Sequence, residues 1–480
     1  MHPKNRTRMA LAAAMLAALA GCGTVGPDYR VPANAVVNRP GAGAPFAGAA
    51  ETPFQSAALP PQWWRLYQDR TLDGLIQKAF AANTDLRIAA ANLAKARALQ
   101  DEVEVAAGPV AGINAAPGYG RASAAAKGHP GTLPAGWTHD VGLGVSYQAD
   151  LFGKIARAVE AAGADTEAAR AGYDATRVMV AADTARAYVD ACAGGRQMVV
   201  AQGSIDLQQK FVELTEQRVR AGRGTALDSS RARGQLEQLR AGLPTLKAQQ
   251  RSAQLRLAVL TGDLPATVNA EVAQCQAAPR LTSPIPVGDG VALLRRRPDI
   301  RQAERGLAAA NARIGVATAE LYPSISLGLS AGSTGTLSQF GSSTAMRWSL
   351  GPLISWTLPD TGAAHSRIAQ FEAGSALALA RFDATVLGAL RDVETALTVY
   401  ARELDRHASL SAARDQDALA AKQSNTLFHA GRTDFLTSLD AQRTLAAAEG
   451  SLAQSEAQLS SDQVNLFLAL GGGWEQGPAN

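Results

Sequence analysis

Four stretches of this chain alternate strictly between apolar and small polar residues. Along 141–151 one face reads Val141, Leu143, Val145, Tyr147, Ala149 and Leu151, and the other Gly142, Gly144, Ser146, Gln148 and Asp150. A period of two is the mark of a strand with unlike faces. After Pro323 the pattern returns, with Ile325, Leu327, Leu329 and Ala331 against Ser324, Ser326, Gly328 and Ser330. A third run sets Met346, Trp348, Leu350, Pro352, Ile354, Trp356 and Leu358 against Arg347, Ser349, Gly351, Ser355 and Thr357. Ala111, Ile113, Ala115, Pro117 and Tyr119 make a weaker fourth.

Each run is about the length of a bilayer-crossing strand, roughly 9 to 11 residues, with aromatic residues near its ends. One such segment alone reads as a half-buried strand of a soluble protein. Four of them in two hairpins, on a chain with an export signal, read as membrane strands. Lipid offers no hydrogen-bond partners, so such strands must close into a barrel, and barrels begin at about eight strands. Four strands per chain therefore require an oligomer. Two copies would give an eight-stranded barrel filled by its own side chains; three would give a 12-stranded barrel with a lumen.

Helical patterning fills most of the remainder. The runs 154–221 and 363–430 contain no Pro, and at 1.5 Å per residue each would extend roughly 100 Å. Shorter returning helices follow. One shows a seam of Ala232, Leu236, Leu239, Leu243, Leu246, Ala253, Leu257 and Leu260, with Pro244 expected to kink or end it. The other sets Leu445, Leu452, Leu459 and Leu466 at heptads. No basic region precedes those leucines, so an antiparallel coiled-coil hairpin is expected rather than a zipper on DNA. Helices with two small-residue stripes pack on both flanks and can wall a tube; a plain coiled-coil stalk has the same periodicity. Gly262 and Gly471-Gly472-Gly473 are expected to cap helix ends.

The whole order of elements occurs twice, about 210 residues apart. Asn83-Thr84-Asp85-Leu86-Arg87 is echoed by Arg297-Pro298-Asp299-Ile300-Arg301, and Leu151-Phe152-Gly153-Lys154-Ile155 by Asp360-Thr361-Gly362. The turn Arg220-Ala221-Gly222-Arg223-Gly224-Thr225 is echoed by His429-Ala430-Gly431-Arg432-Thr433. A duplicated unit without a catalytic cluster is a building element before it is an active site.

Composition agrees: 47% of residues are hydrophobic but only 5% aromatic, which suits thin, closely approaching helices. The formal charge of +4 says little. Lys4, Arg6 and Arg8 belong to a leader with an apolar run from Met9 to Ala20, and without them the charge is +1, so no nucleic acid is expected as partner. The apolar run is too short to span a bilayer, and no later run of apolar residues approaches the roughly 20 required. Leu19-Ala20-Gly21-Cys22 looks like a lipobox, which makes Cys22 the lipidation site and first mature residue. Gly23 follows it, where an Asp would favour retention in the inner membrane. Of the remaining thiols, Cys192 and Cys275, a bridge is compatible with an oxidising compartment but not demanded; two unpaired thiols are expected.

Catalytic signals are weak. Gly328-Leu329-Ser330-Ala331-Gly332 matches the nucleophile elbow of hydrolases, but it lies in an alternating strand with no helix after it. Gly142-Leu143-Gly144 lacks the third glycine of a dinucleotide loop, since Tyr147 stands there. The six histidines show no metal-ligand spacing. Arg295-Arg296-Arg297-Pro298-Asp299 reads as a helix start with local ion pairs. No catalytic residue, cofactor or metal is expected.

A series of segments then resembles one family closely. They are Gly21-Cys22 with Gly26-Pro27-Asp28-Tyr29, Tyr147-Gln148-Ala149-Asp150-Leu151-Phe152-Gly153, and Arg297-Pro298-Asp299-Ile300 with Ala303-Glu304. Tyr322-Pro323-Ser324-Ile325, Leu439-Asp440-Ala441-Gln442-Arg443 and Ala469-Leu470-Gly471-Gly472-Gly473-Trp474 complete it. Together they resemble the TolC-like outer-membrane factors, most closely the lipoprotein branch of the OprM or NodT type that serves resistance-nodulation-division efflux pumps.

That resemblance implies a mainly α fold with a β-barrel part: a homotrimer with a 12-stranded outer-membrane β-barrel, a helical periplasmic barrel and an equatorial domain, internally duplicated. The expected division is a signal peptide over 1–21, a lipidated extended segment over 22–62, a first repeat over 63–262, a connector over 263–295, a second repeat over 296–472 and a tail over 473–480. The expected function is the outer-membrane duct of a tripartite efflux pump in a Gram-negative bacterium. It would be anchored to outer-membrane lipid and work with a periplasmic adaptor and an inner-membrane pump. A duct for type I protein secretion is the alternative. Hairpin tips at Gly222, Thr225, Gly431 and Thr433 would meet the adaptor. By position, the family's periplasmic gate falls on Leu436, Asp440 and Arg443, with three Asp440 carboxylates around the axis. Arg231 holds the equivalent first-half place, so six carboxylates are not expected.

Overall fold

A computed structural model describes residues 23–474 except 52, 126–127, 129, 268, 282 and 357–360; the leader, Cys22 and residues 475–480 lie outside the described residues. In chain order the main elements are helices α1 (Arg70–Ala82) and α2 (Thr84–Ala106), strands β1 (Val110–Ala115), β2 (Gly118–Gly120) and β3 (Gly136–Ala149), and helices α3 (Lys154–Arg220) and α4 (Ala226–Leu260). The second half supplies α5 (Pro298–Ala319), β4 (Ser324–Thr336), β5 (Met346–Ser355), α6 (Thr361–His429) and α7 (Phe435–Ala469). The duplication is visible in the lengths: α3 has 67 residues and α6 has 69, while α4 and α7 have 35 each.

The chain forms two compact units that cut across this repeat. One comprises Met1–Pro32, Leu93–Ala169 and Ala303–Phe382, and the other Ala33–Asn92, Arg170–Gln302 and Asp383–Asn480.

The first unit holds the sheet, antiparallel throughout, in the order β1-β3-β4-β5 with β2 on β3. The strand expected over 111–119 is two strands. Pro117 has no N–H to give the ladder, and pairing stops at Ala116, whose amide and carbonyl both bond Asp140, before resuming at Gly118. β3 also starts earlier than alternation suggested, at Gly136. Where β3 ends, Asp150 accepts from the amides of Ile155 (3.0 Å) and Ala156 (2.7 Å) and so caps α3. The N-terminal strap crosses the same corner. Arg157, with its side chain only 6% exposed, donates to the Val25 carbonyl at 3.2 Å and pairs with Asp28 at 2.7 Å. Tyr29 donates to Glu304 on α5 at 3.0 Å.

The second unit buries Trp63, Trp64 and Tyr67 against the end of α7, with Trp63 stacked on Phe467 at 4.6 Å. The glycines after α7 make that approach: a Cβ on Gly472 would lie 2.6 Å from Leu59 and one on Gly473 3.3 Å from Trp63. Gly262 and Gly471 end their helices at positive φ, as expected of caps. Arg297 chelates Asp299 at the start of α5 and donates to the Ala469 carbonyl at 2.9 Å.

Three expectations are corrected. Cys192 and Cys275 form a disulfide, Cα to Cα 4.7 Å, because the connector comes to lie on α3 where Gly195 has no side chain; a Cβ there would sit 2.0 Å from the Cys275 carbonyl oxygen. Of the two outcomes expected at Pro244, a kink or an end, the end is excluded: α4 continues through it to Leu260. Among the described residues the helix Gly362–His429 is long and apolar enough by length and composition to cross a membrane. The same helix carries partnered carboxylates: Asp383 accepts from the Val36 amide, and Glu394 from the amides of Ala47 and Gly48. Those contacts fasten the N-terminal segment to the helix.

Candidate functional site

Register sorts the strand residues into two unlike faces. On one, Ile113, Leu143, Ala331 and Trp348 lie in one transverse row, and Ala111, Val145, Leu329 and Leu350 in another. These side chains face outward from a single chain, Ile113 being 81% and Trp348 79% exposed. The other face is built mostly of Gly, Ser and Thr, with rows such as Gly112, Gly144, Ser330 and Ser349. Among the described residues β1 and β5 pair on one side only, so the sheet has two open edges. Ser330 is not an activated nucleophile. It lies in mid-strand with its hydroxyl 2.8 Å from that of Ser349, which has no general-base character.

The two hairpin tips use one device. α3 ends with Gly222 at φ +68°, its amide bonding the Val219 carbonyl and that of Arg223 the Arg218 carbonyl. α6 ends with Gly431 at φ +69°, with Gly431 on Phe428 and Arg432 on Leu427. Both are Schellman closures that need a left-handed residue. The returning helices are then capped by mirrored chemistry. Thr225 caps α4 in a box with Asp228, whereas Asp434, not Thr433, caps α7 by accepting from the Thr437 amide at 2.7 Å. That amide holds the Asp434 carboxyl below the usual carboxylate range.

Behind the tips lies an aromatic cluster that periodicity did not reveal. Phe211 of α3 stacks on Phe435 of α7 at 5.5 Å and touches Phe428 of α6 at 5.7 Å, with Leu236 and Leu439 packed around them. Arg218 lies over the Phe428 ring at 4.2 Å and donates to the Phe428 carbonyl at 2.6 Å. Only the pairing of the two hairpins brings these residues together. Their sequence signal is slight: three phenylalanines in a chain with 11.

Leu436, Asp440 and Arg443 are exposed on one face of α7, spaced four and three residues apart, while Phe435, Ser438 and Leu439 are buried. Counting from the caps, Leu436 corresponds to Leu227 and Asp440 to Arg231; both leucines are exposed, at 53% and 57%. No cluster of three or more His, Cys, Asp or Glu suited to a metal occurs among the described residues.

Known proteins provide the remaining evidence. A family model described as "Outer membrane efflux protein" matches residues 75–263 and 291–472. The chain is 30% identical over 476 residues to "Outer membrane protein OprJ" of Pseudomonas aeruginosa, covering 97% of this chain and 96% of that one. It is 28% identical over 467 residues to "Nodulation protein T" of Rhizobium leguminosarum bv. viciae, covering 97% and 93%. Among solved structures, the outer-membrane channel OprN superposes with a TM-score of 0.87 at 36% identity, over 94% of this chain and all of that one.

Proposed function

Since the chain belongs to the outer membrane efflux protein family, we propose that it is the outer-membrane duct of a tripartite efflux pump, working as a homotrimer with a periplasmic adaptor and an inner-membrane pump. One observation carries this reading: a sheet of four ribbons, one of them broken into β1 and β2, with an apolar face, a face mostly of Gly, Ser and Thr, and two open edges. In lipid those edges must be paired, and three copies closing edge to edge give a barrel whose polar faces line the lumen. Apolar residues then face the acyl chains.

The finer assignments rest on that frame. Cys22 anchors the chain to the outer membrane through its acyl chains, and the strap held by Arg157 joins that anchor to the foot of the sheet. The tips around Gly222, Thr225, Gly431 and Thr433 contact the adaptor; their rigid Schellman closures support a docking surface with little ordering cost. Leu436, Asp440 and Arg443 form the periplasmic gate. Their shared exposed face supports this, with three Asp440 carboxylates making an anionic ring and Leu436, joined by Leu227, an apolar constriction. The duct is passive, and the pump supplies the energy. Passage of small molecules rather than secreted proteins is favoured by the relatives, which include proteins named as efflux-pump components.

The test is electrical. Detergent-extracted, unboiled protein should have the mass of three chains and conduct in planar bilayers, and Asp440→Ala should raise resting conductance about twofold or more. Conductance unchanged at every voltage would remove Asp440 from the gate; a monomer without conductance would remove the duct.

A further inference from the structure

The Gly/Ser face of the sheet carries only two charged side chains, Asp140 on β3 and Arg347 on β5. The rest of that face is Gly, Ser, Thr, Asn or Gln, apart from Val110 and Leu353. The two charges are joined. Arg347 reaches across β4, placing Nη2 2.6 Å from Asp140 Oδ1 and donating from Nε to Thr334 Oγ1 at 2.8 Å.

The backbone clears the way for this. Asn114, Gly142, Gly332 and Arg347 form one transverse row, so the two positions between the long side chains are glycines. A Cβ on Gly142 would lie 2.8 Å from Asn114 Oδ1 and 3.5 Å from Arg347 Nη2. The guanidinium lies flat on the wall instead of projecting from it. The pair sits toward the loop end of the sheet, away from Ala149, where β3 leads into α3. Side chains of Asp140 and Arg347 are 43% and 45% exposed, and an ion pair so open to water adds little to folding. Its consequence is electrostatic: a charged ring in a pore sets which ions pass, and a neutralised one does not.

Resting on the reading of three chains closing one barrel, we propose that Asp140 and Arg347 are selectivity-determining residues of the outer mouth. In the trimer they form a ring of three ion pairs with no net charge. Each arginine is cancelled by its aspartate, so anionic, cationic and neutral solutes leave the duct on equal terms. The ring is neutral only as a pair, and loss of either partner leaves three like charges around the exit.

The test is the reversal potential of the full-length protein in planar bilayers under a KCl gradient at low ionic strength, where screening is weakest. Asp140→Asn should shift permeability toward anions and Arg347→Gln toward cations, each by about twofold or more in the permeability ratio, and the double variant should return to the native value. Conducting single variants with native selectivity, or shifts of the same sign, would overturn the proposal. If the single variants do not assemble, the exchanged pair Asp140→Arg with Arg347→Asp must give trimers of native selectivity, and its failure overturns the proposal as well. Native protein that never conducts would overturn the duct reading itself, an outcome distinct from altered selectivity.

Discussion

Asp462, on α7, is a carboxylate in an unfavourable place. It is 3% exposed, and burial pushes its carboxyl above the ordinary range; nearby Glu403 pushes the same way, while the Gln458 amide at 2.8 Å opposes. The folded chain therefore holds this proton more tightly than the unfolded chain does. Its stabilising contribution is complete below the unfolded pKa and is lost as pH rises through the raised value. Asp462→Asn keeps the shape and drops the charge, so its melting temperature should exceed the native one at neutral pH and converge with it in acid. A difference that stays constant with pH would refute this. Nothing in the sequence marks Asp462, because its burial depends on neighbours far along the chain. Leu436, Asp440 and Arg443 are the opposite case: their spacing alone places them on one helix face.

At the scale of elements, the tips give a clean comparison. Gly222 and Gly431 have positive φ and open space where a Cβ would stand, so alanine there is penalised by the backbone alone, by about 1 kcal/mol. Melting of Gly222→Ala and Gly431→Ala should fall by the same small amount. Gly195→Ala should cost clearly more, since its Cβ would collide with the Cys275 carbonyl. Strands and long helices were legible because each carries an unbroken period, two residues in one case and three to four in the other. The break at Pro117 was foreseeable from its missing N–H. The survival of α4 through Pro244 was not, since local propensity disfavours it.

For the molecule as a whole, the disulfide is a constraint that the alternating pattern cannot express. Cys192 and Cys275 lie 83 residues apart, and by loop-closure entropy the bond should stabilise the fold by about 4–5 kcal/mol. Replacing both by Ser should lower the melting temperature in detergent and leave it insensitive to reductant, while the native protein falls to the variant's value when reduced. Equal melting of native and variant protein under oxidising conditions would refute the bond's role. The proposed closure of the sheet also belongs to this scale, because the strands of one chain leave two open edges that in lipid would need neighbouring copies to pair them.

Alone, the sequence determined the long helices, the alternating strands and their duplication, since periodicity acts residue by residue. Tertiary structure decided which distant residues meet: the Phe211, Phe428 and Phe435 cluster, the Cys192–Cys275 bond, the burial of Asp462 and the Asp140–Arg347 pair. Each of these depends on register between elements far apart in the chain. Register is fixed by packing and ladder hydrogen bonds that no local pattern encodes.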